Sequence, residues 1–288
     1  MMNEVNVVAG IVTYNPNLKR LKENIESIIG QVQKVCLVDN GSYNTEEIEL
    51  LKKQYPLEII LNFENKGIAA ALNQIMLFAK RIDARWCVTL DQDSIVPPNL
   101  LQEAEPLLIR KDIGQIVPVI YEEQSGEYCY LDDTDNREKL QEVSKSITSS
   151  SINSVSAWEE CGKFDEMLFI DYVDYDFCMK LRCAGYKIYR LNRAILEHQI
   201  GDSYMIKIFG KKVRVGNHNA FRKYYIGRNM VIYIHRYKKR IDRKKEYLRL
   251  IKVMLLLLFC EEDKRNRFHS FCKGINDGIR YNRMGKAE

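Results

Sequence analysis

The chain has 288 residues, 46% of them hydrophobic, and a formal net charge of +5, which suits one large or two small globular domains. Its longest apolar run, residues 253–260, is far shorter than the roughly 20 residues that span a bilayer, which excludes a membrane-crossing helix. The N-terminal residues lack a signal-peptide pattern, so export is not expected. The eight cysteines include no CxxC pair and are expected to be reduced core thiols of a cytosolic protein.

The positive charge is concentrated near the C-terminus. Residues 211–252 contain fifteen Lys and Arg against two acids, a local charge of +13 that leaves −8 for the rest of the chain. Any basic partner surface is therefore expected in this region.

Short apolar runs alternate with helical patterns along the first half of the chain, in the order β-α-β-α-β-α-β. This order predicts an α/β fold with a layered sheet and crossover helices. Apolar residues at helical spacing predict helices over residues 17–31 and over Gly67 to Lys80. The predicted strands are Val5 to Val12, Lys34 to Val38, Leu57 to Leu61 and Trp86 to Leu90.

The second half of the chain is less regular. Residues 121–154 are polar and predict a loop excursion around short strands, whereas residues 173–185 predict a helix closed by Gly185. A strand is predicted to end at His198, and beyond about Gly210 the pattern becomes helical and basic. We therefore predict a catalytic-type domain over residues 1–209 and a basic amphipathic helical region over residues 210–288.

Polar residues follow three of the four predicted parallel strands. Ligands of open α/β sheets bind at the carboxyl edge, where the loops after the strands converge. Each of these residue types is also an ordinary turn former, but their accidental alignment at one edge is less expected. The residues that could face one crevice are Thr13, Asn15, Asp39, Asn40, Asp91 and Asp93.

Asp91 and Asp93, in the run LDQDS, are candidate metal ligands at this edge. The chain has neither GxGxxG nor a Walker-type GKS or GKT run, so both usual phosphate cradles are absent from the sequence. A nucleotide could still bind if a divalent cation neutralised its diphosphate, and hard cations take carboxylate oxygen. His198 could complete an oxygen-rich site, although a lone histidine is more often structural.

Four acids crowd into the run FDEMLFIDYVDYDFCMKLR: Asp165, Asp171, Asp174 and Asp176. They lie among aromatic and aliphatic residues, a setting that can supply a general base. The alternative is helix capping, with Asp171 near the cap and Asp174 in the first helical turn.

The chain resembles family 2 glycosyltransferases over about residues 5–230. The motifs, in the same order and at similar spacing, are VTYNP, VDNGS, NKGIAAALN, LDQDS, FDEMLFIDYVDYDFCMKLRCAGYKI and EHQIG. The DQDS and FIDYVD variants are most similar to bacterial rhamnosyltransferases. The resemblance implies a GT-A fold, that is, a Rossmann-like mixed sheet flanked by helices, here with a C-terminal helical extension.

The resemblance also implies a reaction. It is an inverting transfer of rhamnose from dTDP-rhamnose to a hydroxyl of a glycan or lipid-linked glycan, a precursor of a cell-surface polysaccharide. Another nucleotide sugar, a UDP-hexose or a galactofuranose donor, is the alternative. A nucleotide-sugar-binding scaffold without turnover is also open, although a degenerate relative would be expected to lose some of these acids.

Residue roles follow from the resemblance. Asp91 and Asp93 match the DxD motif that holds Mg²⁺ or Mn²⁺, with Asp93 as the closer metal ligand. The usual base motif Glu-Asp-x-Asp is VDYD in this chain, so Asp174 aligns with the general base. Asp171 is the alternative candidate for that role. The residues implied on the donor side are Thr13, Asn15, Asp39, Asn40, Asn65, Gly67, Asn73, Asp91 and Arg228, the last within an RN pair with Asn229.

The basic C-terminal region has three interpretations: a membrane-surface helix, a nucleic-acid surface, or a helical bundle with a solvated charged face. The first is favoured because the resemblance implies acceptors that are commonly lipid-linked at the cytoplasmic leaflet. No nucleic-acid-binding module is recognised in the sequence. We therefore expect a cytoplasmic protein that is peripheral on the inner face of the cell membrane and does not bind nucleic acid.

Overall fold

A computed structural model describes residues 6–122, 127–129, 139–198, 203–208 and 210–284. The chain forms two compact units. Unit 1 comprises Met1–Phe169 and Val173–His198, and unit 2 comprises Ile170–Tyr172 and Gln199–Glu288. The three residues 170–172 thus belong to unit 2 although both of their flanks in the chain belong to unit 1, a division that no sequence pattern indicated.

Unit 1 contains a large mixed sheet with helices beside it. Its strands are β1 (Val7–Thr13), β2 (Val35–Asp39), β3 (Leu57–Leu61), β4 (Trp86–Asp91), β5 (Ile113–Glu122), β6 (Glu127–Cys129), β7 (Leu140–Glu142), β8 (Ser151–Ser154) and β9 (Lys187–His198). Its helices are α1 (Leu18–Ile29), α2 (Thr45–Glu49), α3 (Ile68–Arg81), α4 (Leu100–Leu108), α5 (Val155–Glu160) and α6 (Val173–Cys183), with 3₁₀ turns at Leu50–Lys53 and Glu166–Leu168.

The strand order is β3-β2-β1-β4-β8-β5-β9-β7, with β6 paired to β5. The four predicted strands are confirmed as β1 to β4, and they are parallel to one another. β8 runs antiparallel to both of its neighbours, β4 and β5, which makes the sheet mixed. This arrangement confirms the predicted α/β class, in which the apolar strands β1, β2 and β4 are buried on both faces while β3 is partly exposed.

The helix α1 confirms the amphipathic helix that apolar spacing predicted over residues 17–31. Asn17 caps it by accepting a hydrogen bond from the Arg20 N–H at 3.1 Å. Leu21, Ile25 and Ile28 are fully buried in the core of unit 1. The predicted apolar stripe therefore faces the sheet, and burial of each such side chain contributes about 1.5–3 kcal/mol before the entropy of ordering is subtracted.

The polar strand β8 lies in the middle of the sheet because its neighbours satisfy its side chains. Asn153 donates to the Thr89 hydroxyl at 3.0 Å and accepts from the Gln115 amide at 2.9 Å. Ser146 in turn donates to Gln115 at 2.7 Å. A buried polar network of this kind is stable only when its members are paired, which links β4, β8 and β5 in one register.

The expectation of reduced core cysteines is confirmed for three of the described thiols and is wrong for Cys183. Cys36, Cys87 and Cys178 are free and buried, whereas Cys183 is free and exposed. Burial raises the pKa of Cys36 to about 12 and that of Cys178 to about 11, since a thiolate loses its hydration there. These cysteines therefore act as small apolar core residues.

Unit 2 contains a β-hairpin that was not predicted, followed by three helices. Its elements are β10 (Ser203–Ile208), β11 (Lys211–Gly216), α7 (Ala220–Arg236), α8 (Arg243–Cys260) and α9 (Lys264–Met284). The prediction of helix from about Gly210 is wrong for β11, which pairs antiparallel with β10. In KKVRVG the basic residues obscured an alternating pattern whose inward member, Val215, is buried. Within the described residues no helix is long and apolar enough to cross a membrane.

The helices α7 and α9 pack with their backbones close together. A Cβ atom at Gly274 would lie 2.0 Å from the Tyr224 carbonyl oxygen, and one at Gly278 would lie 2.6 Å from the Arg228 carbonyl oxygen. Only glycine allows this approach, so these two positions of α9 determine how α7 is seated in unit 2.

A buried ionic cluster surrounds the first turn of α7. The Lys223 ammonium donates to Glu261 and, at 2.7 Å, to the Gly216 carbonyl, and Arg267 lies 3.6 Å from Glu261. Lys223 and Glu261 are 3% and 2% exposed in their side chains, and burial lowers the pKa of Lys223. The nearby His218 has its pKa lowered from 6.5 to about 3, first by burial and then by Arg222, Lys223 and Arg267.

Unit 2 is expected to lose stability as the pH falls below about 6.5, because the unfolded chain protonates His218 there while the folded protein keeps it neutral down to about pH 3. In this window the unfolded state binds up to one more proton, so the free energy of unfolding falls by up to ~1.4 kcal/mol per pH unit. His218→Gln should flatten this slope in urea unfolding at several pH values. His269→Gln, at an exposed histidine, is the matched control, and an unchanged slope in His218→Gln would contradict the assignment.

Candidate active site

The carboxyl ends of β1, β2 and β4 meet at one edge of the sheet in unit 1. β1 lies between the other two strands, with Thr13 in register with Asp39 and Val12 in register with Asp91. Asn40 follows Asp39 directly, and its N–H donates to the Thr13 carbonyl at 2.7 Å. The structure therefore brings the loops after these strands together, at the edge where open α/β sheets bind ligands.

Asp39 is the hub of the first two loops. Its carboxylate is fully buried and accepts hydrogen bonds from Thr13 Oγ1 at 3.1 Å, from the Ser42 N–H and hydroxyl, and from Thr45 Oγ1. Ser42 also accepts from the Asn15 N–H at 2.7 Å. Direct contact of Asp39 with a base or ribose stays a prediction, and in this structure its oxygens hold the two loops in place.

Asn15 and Thr13 line the same loop junction. Asn15 adopts a positive φ of 50°, which asparagine tolerates better than most residues, and its Oδ1 accepts the Tyr43 N–H at 2.9 Å. Thr13 is fully buried beneath it. The pair therefore connects the loop after β1 to the loop after β2.

Asn40 holds a third loop, the one that leads into α3. Its Nδ2 donates to Asn65 Oδ1 at 3.0 Å and to the Gly67 carbonyl at 3.2 Å, and its Oδ1 accepts the Lys66 N–H at 3.1 Å. Gly67 has a φ of +86°, and a Cβ there would lie 2.7 Å from the Phe169 ring. A side chain at this position would be strained and obstructed, so the NKG run forms a tight, backbone-lined turn.

The turn DQDS after β4 is held by its backbone and by Gln92 and Ser94. The carbonyl of Asp91 accepts from Asn24 at 2.6 Å, and that of Asp93 accepts from Arg20 at 3.0 Å, both residues of α1. Gln92 accepts the Tyr14 N–H at 2.8 Å. Ser94 is buried and shares a hydrogen bond with the Ser149 hydroxyl. Sequence reasoning did not find these structural roles of Gln92 and Ser94.

This turn suits a hard divalent cation that arrives with a phosphate ligand. Asp93 is exposed and Asp91 is half-buried, so the two carboxylates lie at the accessible edge of the sheet. Within the described residues, no three His, Cys, Asp or Glu side chains form a metal-holding group by themselves. Magnesium at phosphate sites is typically held by one or two carboxylates plus substrate phosphates, which this pair matches. The His198 side chain lies outside the described residues, so its predicted ligand role stays a prediction.

Asn73 joins α3 to the chain around the acidic run. Its Nδ2 donates to the Phe164 carbonyl at 3.0 Å and to Glu166 at 2.8 Å, and its Oδ1 accepts from the Trp158 indole and the Phe164 N–H. These four hydrogen bonds use the full capacity of the amide. That Asn73 flanks the donor stays a prediction, and in this structure its amide holds the chain around Phe164 and Glu166.

The segment that enters the acidic run has an unusual backbone. Phe169, Asp171 and Tyr172 all have positive φ, between 62° and 67°, although none is glycine. Non-glycine residues in the left-handed region cost of order 1–3 kcal/mol each when strained and are concentrated at functional sites. The carbonyl of Phe169 accepts the Ile68 N–H at 2.7 Å at the start of α3.

Within unit 2, two residues of α7 hold this segment after Phe169. Arg222 donates to both carboxylate oxygens of Asp171, through Nε at 3.0 Å and Nη2 at 3.0 Å. Asn229 is fully buried, and its Nδ2 donates to the carbonyls of Ile170 at 2.8 Å and Asp171 at 2.9 Å. Asp171 therefore forms a bidentate ion pair with Arg222. The sequence placed Asn229 in an RN pair, but neither its role nor that of Arg222 could be read from it.

The other acids of the run have separate positions in unit 1. Asp165 caps the 3₁₀ turn by accepting the Met167 N–H at 3.0 Å. Asp176 is buried on α6, 3.3 Å from Lys180. Asp174 is half-buried in the first turn of α6 and accepts the Tyr175 N–H at 2.9 Å. Capping thus explains Asp165, while Asp174 keeps its predicted place at the start of the helix.

Arg228 lies on α7 in unit 2. Its guanidinium stacks over the Tyr225 ring at 4.6 Å from the centroid and donates to Asn229 Oδ1 at 3.0 Å. Its contact with a donor stays a prediction. Its observed neighbour Asn229 supports the turn at Asp171.

Residues 9–169 match the family described as Glycosyl transferase family 2. The chain is 29% identical to dTDP-rhamnosyl transferase RfbF of Shigella flexneri over 248 residues, which cover 80% of each protein. It is similar in structure to S. aureus TarS 1–349 in complex with UDP-GlcNAc, with a TM-score of 0.61, 14% identity, and coverage of 96% of this chain and 81% of the other.

A second structural neighbour is GalNAc-T7 with UDP, GalNAc and Mn²⁺, with a TM-score of 0.55 and 14% identity, covering 71% of this chain and 44% of that one. Both neighbours have the GT-A fold, which the mixed sheet and flanking helices of this chain share. The match of residues 9–169 takes in the whole edge built by β1, β2, β4 and the start of α3. By this match and this fold, the chain is a glycosyltransferase and belongs to glycosyl transferase family 2.

Proposed function

We propose that this glycosyltransferase moves rhamnose from dTDP-rhamnose to a hydroxyl group of a glycan precursor, with inversion at the anomeric carbon. The observation that carries the proposal is the 29% identity to a dTDP-rhamnosyl transferase over 80% of both chains. The acceptor proposed is a lipid-linked precursor of a cell-surface polysaccharide, reached from the inner face of the membrane.

The donor side of the proposal uses the edge formed by the three loops. The donor is proposed to lie at the backbone-lined turn at Gly67 and the loop junction at Asn15, where hydrogen bonds of Asp39 and Asn40 fix the loops. Asp91 and Asp93 would hold a divalent cation, Mg²⁺ or Mn²⁺. When bound, the cation would offset the charge that develops on the leaving diphosphate.

The acceptor side uses the acidic run. Asp174 is proposed to take the proton of the acceptor hydroxyl as its oxygen attacks the anomeric carbon from the face opposite the diphosphate. Asp171 is a poorer candidate for the base, since Arg222 donates a hydrogen bond to each of its carboxylate oxygens and protonation would break that ion pair. Its proposed role is to fix the turn that precedes Asp174.

The donor is tested by thermal unfolding with a panel of nucleotide sugars and Mg²⁺. A donor at 100 times its dissociation constant adds about 2.7 kcal/mol to the free energy of unfolding, which raises the melting temperature by several degrees. We expect dTDP-rhamnose to protect more than UDP-glucose, UDP-GlcNAc or UDP-galactofuranose. Greater protection by a UDP-sugar would replace rhamnose with that sugar in the proposal.

Turnover is tested separately with the same donor. Release of dTDP in the presence of a lipid-linked glycan acceptor, with rhamnose incorporated in the product, is the expected result. Protection by dTDP-rhamnose without transfer to any acceptor would favour a nucleotide-sugar-binding scaffold instead.

A further inference from the structure

The helix α8 of unit 2 exposes a long apolar stripe. Leu248 and Phe259 are 66% and 72% exposed, and Tyr247, Ile251 and Leu255 are each more than two-fifths exposed. The spacing of positions 247, 251, 255 and 259 places them on one face of the helix, with Leu248 beside them. Within α8 only Glu246 and Leu257 are buried. Contiguous exposed apolar surface of this kind marks an interaction site.

A cation-lined cavity opens beside the N-terminal end of this stripe. It has a volume of about 280 Å³ and lies among α7, α8 and α9. Its positive or protonatable residues are His235, Lys238, Arg243 and Arg283. Val231, Ile234 and Ile279 give it an apolar wall, and no carboxylate is among the described residues that line it. Such a lining suits a phosphate group attached to an apolar body.

Tyr247 connects the two features, because it lines the cavity and also begins the stripe of α8. Arg243, Lys244, Lys245 and Lys252 are exposed on the same helix. An exposed apolar face bordered by lysine and arginine is typical of helices that lie in the interface of an anionic membrane.

We propose that the cavity binds the headgroup phosphate of an anionic phospholipid while the α8 stripe lies on the acyl-chain boundary of the same leaflet. A nucleic acid would satisfy the cations but leave the stripe exposed, and a second copy of this chain would cover the stripe but bring no anion to the cavity. A membrane leaflet supplies both. The inference deepens the proposed membrane association and does not depend on the transfer reaction.

The experiment is flotation of the full chain with vesicles at physiological ionic strength. One set of vesicles is phosphatidylcholine alone and the other also contains phosphatidylglycerol. We expect binding to the anionic vesicles, with at least about a tenfold loss, equivalent to ~1.4 kcal/mol, in the cavity variant Lys238→Gln, Arg243→Gln, Arg283→Gln. The matched control, Lys239→Gln, Arg240→Gln, Arg265→Gln, removes three exposed cations outside the cavity and outside α8 and should lose much less.

A stripe variant, Leu248→Ser, Leu255→Ser, Phe259→Ser, tests the apolar half and should also lose most of the binding. Equal losses in the cavity variant and its control would overturn the site, since net charge alone would then explain binding. Undiminished flotation of the stripe variant, together with equally tight binding of soluble glycerol phosphate to the cavity, would replace the membrane with a free phosphate ligand. Tight binding of RNA that survives in the stripe variant, with no flotation of the wild type, would replace it with a nucleic acid.

Two further measurements distinguish a failure of this inference from misfolding of the variants and from a failure of the proposed transferase function. Unchanged melting temperatures show that the surface variants are folded. Protection by dTDP-rhamnose, measured on the same variants without vesicles, reports the proposed transferase function and should be unaffected.

Discussion

Replacement of Asp174 by asparagine is expected to lower the rate of sugar transfer by ~10²- to 10⁴-fold, the usual contribution of a general base. The amide keeps the size of the side chain but cannot accept the acceptor proton. Donor binding should persist, because the edge proposed to bind the donor is built from β1, β2, β4 and the turn at Gly67. The measurement pairs turnover with protection by dTDP-rhamnose against thermal unfolding.

The control for this prediction is Asp171→Asn, three residues earlier in the chain. That variant loses the bidentate ion pair with Arg222, so we expect a lower melting temperature and a smaller loss of turnover than in Asp174→Asn. The pH dependence separates the two roles. In Asp171→Asn, kcat/KM should still fall toward low pH, because the base becomes protonated there. In Asp174→Asn, the residual kcat/KM should no longer fall toward low pH. The reverse pattern would move the base role to Asp171.

Asp93→Asn is expected to remove most of the dependence of donor binding on a divalent metal. In the wild-type protein Mg²⁺ should tighten donor binding at least about tenfold, or ~1.4 kcal/mol, because Asp91 and Asp93 would hold a cation that offsets the charge of the diphosphate. The amide at position 93 supplies a neutral and weaker oxygen ligand. Calorimetry of dTDP-rhamnose binding, with Mg²⁺ and with a chelator, measures the difference directly.

Glu105→Gln provides a matched loss of one exposed carboxylate, on α4, and should bind the donor as the wild-type protein does under both conditions. The backbone of the DQDS turn is held by Arg20 and Asn24, so Asp93→Asn should not disturb the fold. Retention of the full metal effect in Asp93→Asn would exclude Asp93 as a ligand and direct attention to Asp91.

The local features of this protein were largely predictable from its sequence. The strands β1 to β4 and the helices α1, α3 and α6 follow from apolar runs and helical spacing, whose periods are determined by backbone geometry. The convergence of Thr13, Asp39 and Asp91 at one edge also followed, because parallel strands of one sheet end on the same side. The run KKVRVG was not predicted as a strand, since its alternation is carried by two valines among basic residues.

The partners of the candidate catalytic residues were decided by tertiary structure alone. Asp171 is paired with Arg222, 51 positions along the chain, and Asn229 holds its carbonyl from 58 positions away. The positive φ values at Phe169, Asp171 and Tyr172 likewise could not be predicted from the local sequence, which contains no glycine there. Periodicity reports which face of an element is buried, whereas a hydrogen bond between distant residues depends on how whole elements pack, and no local pattern encodes that. The sequence by itself therefore determined the family, the sheet edge with its acids, and the place of Asp174 in the first turn of α6. Only the tertiary structure decided that Asp171 is held in an ion pair with Arg222.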